Sequence, residues 1–148
     1  NHWSTIRRQW SATYTMLEAI LCLAEAIYFE GRSQPVTGQY AIGHVIMNRV
    51  ADDRFPSNPC AVIRHGGTRR NNCQFSYYCD GKPEAFYNKQ AYGQALINAS
   101  IVYLKIIPDP TLGSTHYRAD YVKPFCAITD PLAIINKHVF YRLWLDYD

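Results

Sequence analysis

The chain has 148 residues, 48% of them apolar, and a formal net charge of +3, a length that builds one domain around one core. It has no apolar run of about eighteen residues and no charged start followed by an apolar stretch, so a soluble chain without membrane insertion or an evident export signal is expected. Arg7 and Arg8, and Arg64, Arg69 and Arg70 with His65 nearby, suit an anionic polymer such as nucleic acid or bacterial wall, or simply a solvated surface.

Residues 1–14 are polar and aromatic without sustained period and read as an N-terminal arm or linker remnant, leaving 15–148 as the domain. Leu17, Ile20, Leu21, Ala24, Ile27 and Tyr28 then recur at helical spacing. This predicts a helix from Thr15, with Thr15 and Glu18 as its start signal, to Glu30. Gly31 to Pro35 reads as a turn. A second helix is predicted over Val36 to Val50, with Tyr40, Ala41, His44, Val45 and Asn48 on one stripe and Ile42, Ile46 and Arg49 on the next. From Ala51 to Pro83, proline, Gly66-Gly67, Asn71-Asn72 and Gly81 predict loops, with short strands around Val62 and Phe75. A third helix is expected from Pro83 to Ile106, ended by Pro108 and Pro110. After it come a turn at Asp109 to Gly113, an extended piece around Tyr117 and an apolar finish from Ile134 to Leu145. No internal repeat is present.

Five cysteines are present, so at least one is unpaired within the chain. Cys60, Cys73 and Cys79 lie in or beside the loop region, where disulfides staple chain with little core, whereas Cys22 falls inside a helical pattern and reads as a buried thiol. The Cys73 to Cys79 spacing lacks a histidine pair, and His44, His65, His116 and His138 form neither an HxH nor an HExxH pattern. No metal or other cofactor is therefore expected. His44 and His138 read as packed helical residues with a hydrogen bond each. A nucleophilic Cys79 or Cys126 would need a histidine close in space, which the sequence does not display.

Glu30 stands out among the acids. It ends an apolar helix after Tyr28 and Phe29, beside a glycine turn, surroundings in which a carboxyl holds its proton nearer neutrality and serves as a general acid. A structural or exposed glutamate is the plainer alternative, as for Glu18 and Glu25. A two-carboxylate glycosidase needs a second acid, and Asp52, Asp53, Asp80, Asp109 and Asp120 offer none that stands out. Asp80 and Asp109 read as turn residues. A transglycosylase avoids the need, because the sugar's own hydroxymethyl oxygen attacks while one carboxyl acts first as acid and then as base. The clusters Cys73-Gln74-Phe75-Ser76-Tyr77-Tyr78-Cys79 and Gly113-Ser114-Thr115-His116-Tyr117 mix rings with neutral hydrogen-bonding groups, as saccharide binding requires and as buried edge strands also do.

The stretch IYFEGRSQPVTGQYAIGHVIMNRV resembles the core signature of the spore-cortex-lytic, or SleB-type, cell wall hydrolases. FPSNPCAVI, CQFSYYCDGKP, DPTLGSTHY and HVFYR are similar to that family's later blocks in the same order, so the resemblance runs from about Leu17 to Arg142. It implies a mainly helical α+β fold of lysozyme-like, single-domain form with a small β or loop region. It also implies a groove for peptidoglycan strands, Glu30 as the acid, lytic transglycosylase chemistry leaving anhydro-muramoyl ends, and no role in nucleic-acid binding. Gln74, Ser76, Tyr77, Thr115 and Tyr117 would line the groove and His116 would orient a neighbour or the sugar. A monomer is expected, exported to the periplasm or cell envelope or encoded by a phage. The family's E-A-R-G-E block here reads Glu30-Gly31-Arg32-Ser33-Gln34, so Gln34 replaces a second glutamate, and Phe125-Cys126 stands where a tryptophan-containing stretch is usual. A hydrolytic muramidase or glucosaminidase and a non-catalytic wall-binding module are the rival readings.

Overall fold

The computed structural model describes residues 2–65, 75, 77, 88–122 and 130–143, with backbone alone for 9–14. Among the described residues, four α-helices, α1 (His2–Gly31), α2 (Val36–Val50), α3 (Pro59–Ile63) and α4 (Lys89–Tyr103), precede three strands, β1 (His116–Ala119), β2 (Pro131–Ile135) and β3 (His138–Tyr141). The antiparallel sheet has the order β1-β3-β2. The fold is mainly helical α+β, as expected.

α1 is the central element because its second half is apolar on several faces. Leu23, Ala24, Ala26 and Ile27 are fully enclosed, and Tyr28 nearly so. They pack with Ile42 and Ile46 of α2, Cys60, Val62 and Ile63 of α3, and Ala95 and Ala99 of α4. Cutting Leu23 or Ile27 to alanine in such surroundings costs roughly 2–5 kcal/mol. A smaller cluster of Ala41, Val45 and Phe140 joins α2 to the sheet, and Tyr117 packs against both clusters.

Several expectations need correction. α1 begins at His2 rather than Thr15. Residues 2–30 hold neither glycine nor proline, so the helix continues past its buried stripe into turns where Trp3, Arg7 and Arg8 are exposed. Val62 lies in a helix, not a strand: Pro59 occupies the first turn and the Asn58 side chain accepts from Ala61 N at 2.9 Å. That start signal outweighs the local β-branched residues. Phe75 is buried in a bend. α4 starts at Lys89, capped by Asn88, and ends at Tyr103 ahead of a left-handed Lys105 (φ 56°) rather than running to Ile106. The expected start at Pro83 lies outside the described residues. The apolar finish resolves into the β2–β3 hairpin, whose turn uses a left-handed Asn136 (φ 55°), a conformation asparagine tolerates. His138 is therefore on a strand rather than a helix.

Cys22 is not a free thiol. It is bonded to Cys60, with the Cα atoms 5.2 Å apart, tying α1 to α3 across 38 residues of chain. Cys73, Cys79 and Cys126 lie outside the described residues.

Candidate active site

Glu30 occupies the last turn of α1, and the chain turns sharply beyond it, with Gln34 N donating to Gly31 O at 2.8 Å. Gly31 allows a close approach to α2: a Cβ there would lie 2.5 Å from Ile42 Cδ1, and the end of that side chain would have to move. Amides brace this corner. Gln39 Nε2 donates to Gln34 O, Asn98 Nδ2 to Gln39 Oε1 at 2.6 Å, and Gln94 Nε2 to Asn98 Oδ1 at 3.0 Å. Asn98 and Gln39 are buried, so this chain fixes α4, α2 and the corner together. Gln34, at the family's glutamate position, holds its side chain toward Asn136 Nδ2 at 3.5 Å.

The Glu30 carboxyl is half-buried and accepts from Tyr117 Oη at 3.3 Å. Burial raises its pKa above the ordinary glutamate value, and the long phenol bond offsets this only in part. Tyr117 is itself pushed well above its usual range, by burial first and by Glu30 second. The phenol therefore remains protonated and donates. β1 carries it to the acid because β1 pairs with β3, setting Tyr117 opposite Phe140 on the α2-facing side.

Arg49, on the second stripe of α2, anchors the start of β1. It is buried, its Nε donates to Thr115 O at 2.7 Å, and its guanidinium lies 4.9 Å above the Phe55 ring and 5.8 Å from that of Phe75. Its signal in the sequence is a cation on an otherwise apolar stripe.

The expected groove residues separate. Tyr117 and His116 stand on β1 at half-buried positions, and His116 stacks on Tyr141 at 5.6 Å. Burial, then the charges of Arg49 and Arg54, lower its pKa to about 3, so it is a neutral imidazole. Thr115 is completely enclosed, its Oγ1 2.8 Å from His116 Nδ1. Here it braces His116 rather than reaching a glycan, because no part of it is open to one. Tyr77 is 7% exposed and stacks on Phe29 at 4.9 Å, so its ring belongs chiefly to the core. Gln74 and Ser76 lie outside the described residues, as do Asp80, Phe125 and Cys126.

The other carboxyls behave differently. Asp52 takes three bonds from Arg54 and one from Arg142 at 2.8–3.0 Å. Those bonds, Arg54's foremost, lower its pKa to about 2 despite burial. Burial raises Asp109, but bonds from Asn48, Thr111 and Gly113 outweigh it and hold its pKa below the ordinary value. Asp109 thus organises its turn, as expected of a turn residue. His44, expected to be hydrogen-bonded, is not: Nδ1 is 3.9 Å from Asp109 Oδ1 and Nε2 has no hydrogen-bond partner. Among the described residues no cluster of three or more histidine, cysteine or acidic side chains is arranged to hold a metal.

A family model described as Cell Wall Hydrolase matches residues 33–141. The chain belongs to this family. Its SleB-type character is supported by two curated relatives. Over 44 residues, 30% of this chain, it is 43% identical to the spore cortex-lytic enzyme of Halalkalibacterium halodurans and 46% identical to that of Bacillus subtilis. These matches span only 13% and 14% of the two enzymes' lengths. Among solved structures, the catalytic domain of the Bacillus cereus SleB protein superposes with a TM-score of 0.62 at 26% identity, covering 84% of this chain and 89% of that one. The catalytic domain of the germination-specific lytic transglycosylase SleB from Bacillus anthracis gives 0.61 at 28% identity, covering 84% and 93%. The SleB-type cell wall hydrolase fold therefore extends well beyond the short curated matches.

Proposed function

We propose that this SleB-type domain cleaves peptidoglycan strands between N-acetylmuramic acid and N-acetylglucosamine as a lytic transglycosylase, with Glu30 as general acid and then base. The observation that carries the reading is a contrast in surroundings: half-buried Glu30 meets one phenol at 3.3 Å and its pKa is raised, while Asp52 and Asp109 each accept from several donors that lower theirs. The protonated carboxyl donates to the glycosidic oxygen as the bond from the muramoyl C1 breaks. The muramoyl C6 hydroxyl oxygen then bonds to C1, and its proton returns to the Glu30 carboxylate, closing the 1,6-anhydro ring and regenerating the acid. No water molecule and no second carboxylate are consumed in this sequence. Tyr117 orients the carboxyl, and neutral His116 beside it contacts the sugar or steadies Tyr117.

We place the catalytic domain at 15–148, with 1–14 as an arm, acting as a monomer outside the cytoplasm, where a disulfide such as Cys22–Cys60 persists. Among the described residues no helix is long and apolar enough to cross a membrane. Mass spectrometry of purified peptidoglycan treated with the wild type and Glu30→Gln tests the reaction. Anhydro-muramoyl fragments from the wild type alone are expected. Reducing muramic ends would establish hydrolysis instead, and intact glycan that is nevertheless bound would establish a binding module.

A further inference from the structure

A shallow, widely open cleft of about 810 Å³ lies at the corner that follows the acid in sequence, lined by Arg32, Ser33, Asn88, Lys89 and Ala91. Among the described residues no carboxylate lines it, and neither Arg32 nor Lys89 has a carboxylate partner; both are exposed. The Arg32 guanidinium is held in place, Nη1 donating to Tyr28 Oη at 2.6 Å while Cζ lies 4.9 Å from that ring's centroid. The same hydroxyl accepts from Asn88 N at 3.0 Å, so one buried tyrosine sets both walls of the cleft. Among the described residues that bond is the one the guanidinium makes, which leaves its other N–H groups able to meet a planar anion.

Tyr28 and Glu30 are two residues apart on α1 and so project to nearly opposite sides of it. Glu30 faces β1, whereas Arg32 is turned toward α4 and is not among the groups that shift the Glu30 pKa. The cations can therefore hold an anion without driving the acid into its ionised form. A ligand serving both places must reach around a helix end about 10–12 Å across. A peptide of four residues extends to about 13 Å, whereas groups fixed directly on the sugar ring do not reach that far.

We infer that Arg32 and Lys89 form a subsite for carboxylates of the peptide stem on the muramic acid, making the domain selective for stem-bearing glycan. This rests on the glycan-strand reading above. The test measures binding and cleavage of a GlcNAc–MurNAc oligosaccharide in three forms, with a tetrapeptide stem, with the stem carboxylates amidated, and without the stem, using wild type, Lys89→Ala, Lys89→Glu and Arg32→Gln. Because Arg32 also braces Tyr28, the Lys89 variants, whose position is exposed, carry the test, with thermal melts as a control. The expected result is tighter binding of the free-carboxylate form by the wild type, reduced roughly fivefold in Lys89→Ala and about tenfold in Lys89→Glu, and weakened by salt. Binding of the stem-free form should not change with the Lys89 variants. Equal wild-type affinity for all three forms, or a preference that survives Lys89→Glu, overturns the subsite. So does a Lys89→Glu loss seen only for poly(glycerol phosphate), which would make the cleft a phosphate-polymer site. A wild type that binds the stem-bearing form preferentially but cleaves none removes the glycosidase reading and leaves the subsite standing.

Discussion

Two corners of the molecule place a carboxyl at the C-terminal end of a helix and give it opposite characters. Glu30 lies in the last turn of α1, and Asp52 follows the last residues of α2. The negative end of a helix dipole disfavours ionisation at both. At the first corner a single phenol at 3.3 Å answers the carboxyl, and the proton is favoured. At the second, two guanidiniums satisfy both oxygens, and the pKa falls to about 2. Local charge and desolvation, rather than position on a helix, decide which acid transfers a proton and which is structural.

The largest effect should come from exchanging each acid for its amide. Glu30→Gln should lower glycan turnover by roughly 10²–10⁴-fold, the usual contribution of a general acid. Its melting free energy should stay within about 1 kcal/mol, because one long hydrogen bond is at stake. Asp52→Asn should do the reverse, leaving turnover within a few-fold while destabilising by about 1–3 kcal/mol, since Arg54 and Arg142 lose an ionised partner. A stable, inactive Asp52→Asn would overturn the division. Its pH signature has a defined sign. Asp52 is depressed from 3.8 to about 2, so its stabilisation is complete above pH 4 and is lost as pH falls through 2. Acid titration of the melting temperature should show a loss in that window that Asp52→Asn lacks.

The disulfide joins the two halves of this comparison, since Cys22 is on the acid's helix and Cys60 on the helix beyond the Asp52 corner. Loop-closure entropy for 38 residues corresponds to about 4 kcal/mol. Cys22→Ala with Cys60→Ala should therefore lower the melting temperature by about 10 °C at this chain length, measured against the oxidised wild type. A shift under a degree would mean that packing alone holds α3 on α1.

How far the sequence displayed all this varied with the range of the interaction. α2 runs over the span its pattern predicts, and Glu30 falls at the expected helix end beside the expected turn. Such features depend on neighbours a few residues apart. β1 also forms where an extended piece was expected around Tyr117. Pairings across long separations were not legible. Asp52 finds Arg142 90 residues away and Tyr117 meets Glu30 87 residues away, and neither pattern names its partner. Burial at element ends was equally hidden. Thr115 precedes β1 in a polar cluster that suits a groove, yet Arg49 and the β1–β3 pairing draw it fully inside. The start of α1 failed for another reason, because a helix without breakers needs no buried face to continue.

The smallest effect is the most diagnostic of how the acid is tuned. Burial raises the Glu30 pKa and the Tyr117 hydroxyl lowers it, so Tyr117→Phe should raise it further. The reactive form is the protonated one, and activity declines as pH rises through that pKa. The descending limb of the kcat/KM profile should therefore move to higher pH in Tyr117→Phe, with only a few-fold loss at the optimum from a less ordered carboxyl. A limb moving to lower pH would show that the phenol stabilises the protonated acid, accepting from it rather than donating to it. That result would reverse Tyr117's role, making it a group that restrains proton release at Glu30 and so works against the transfer step.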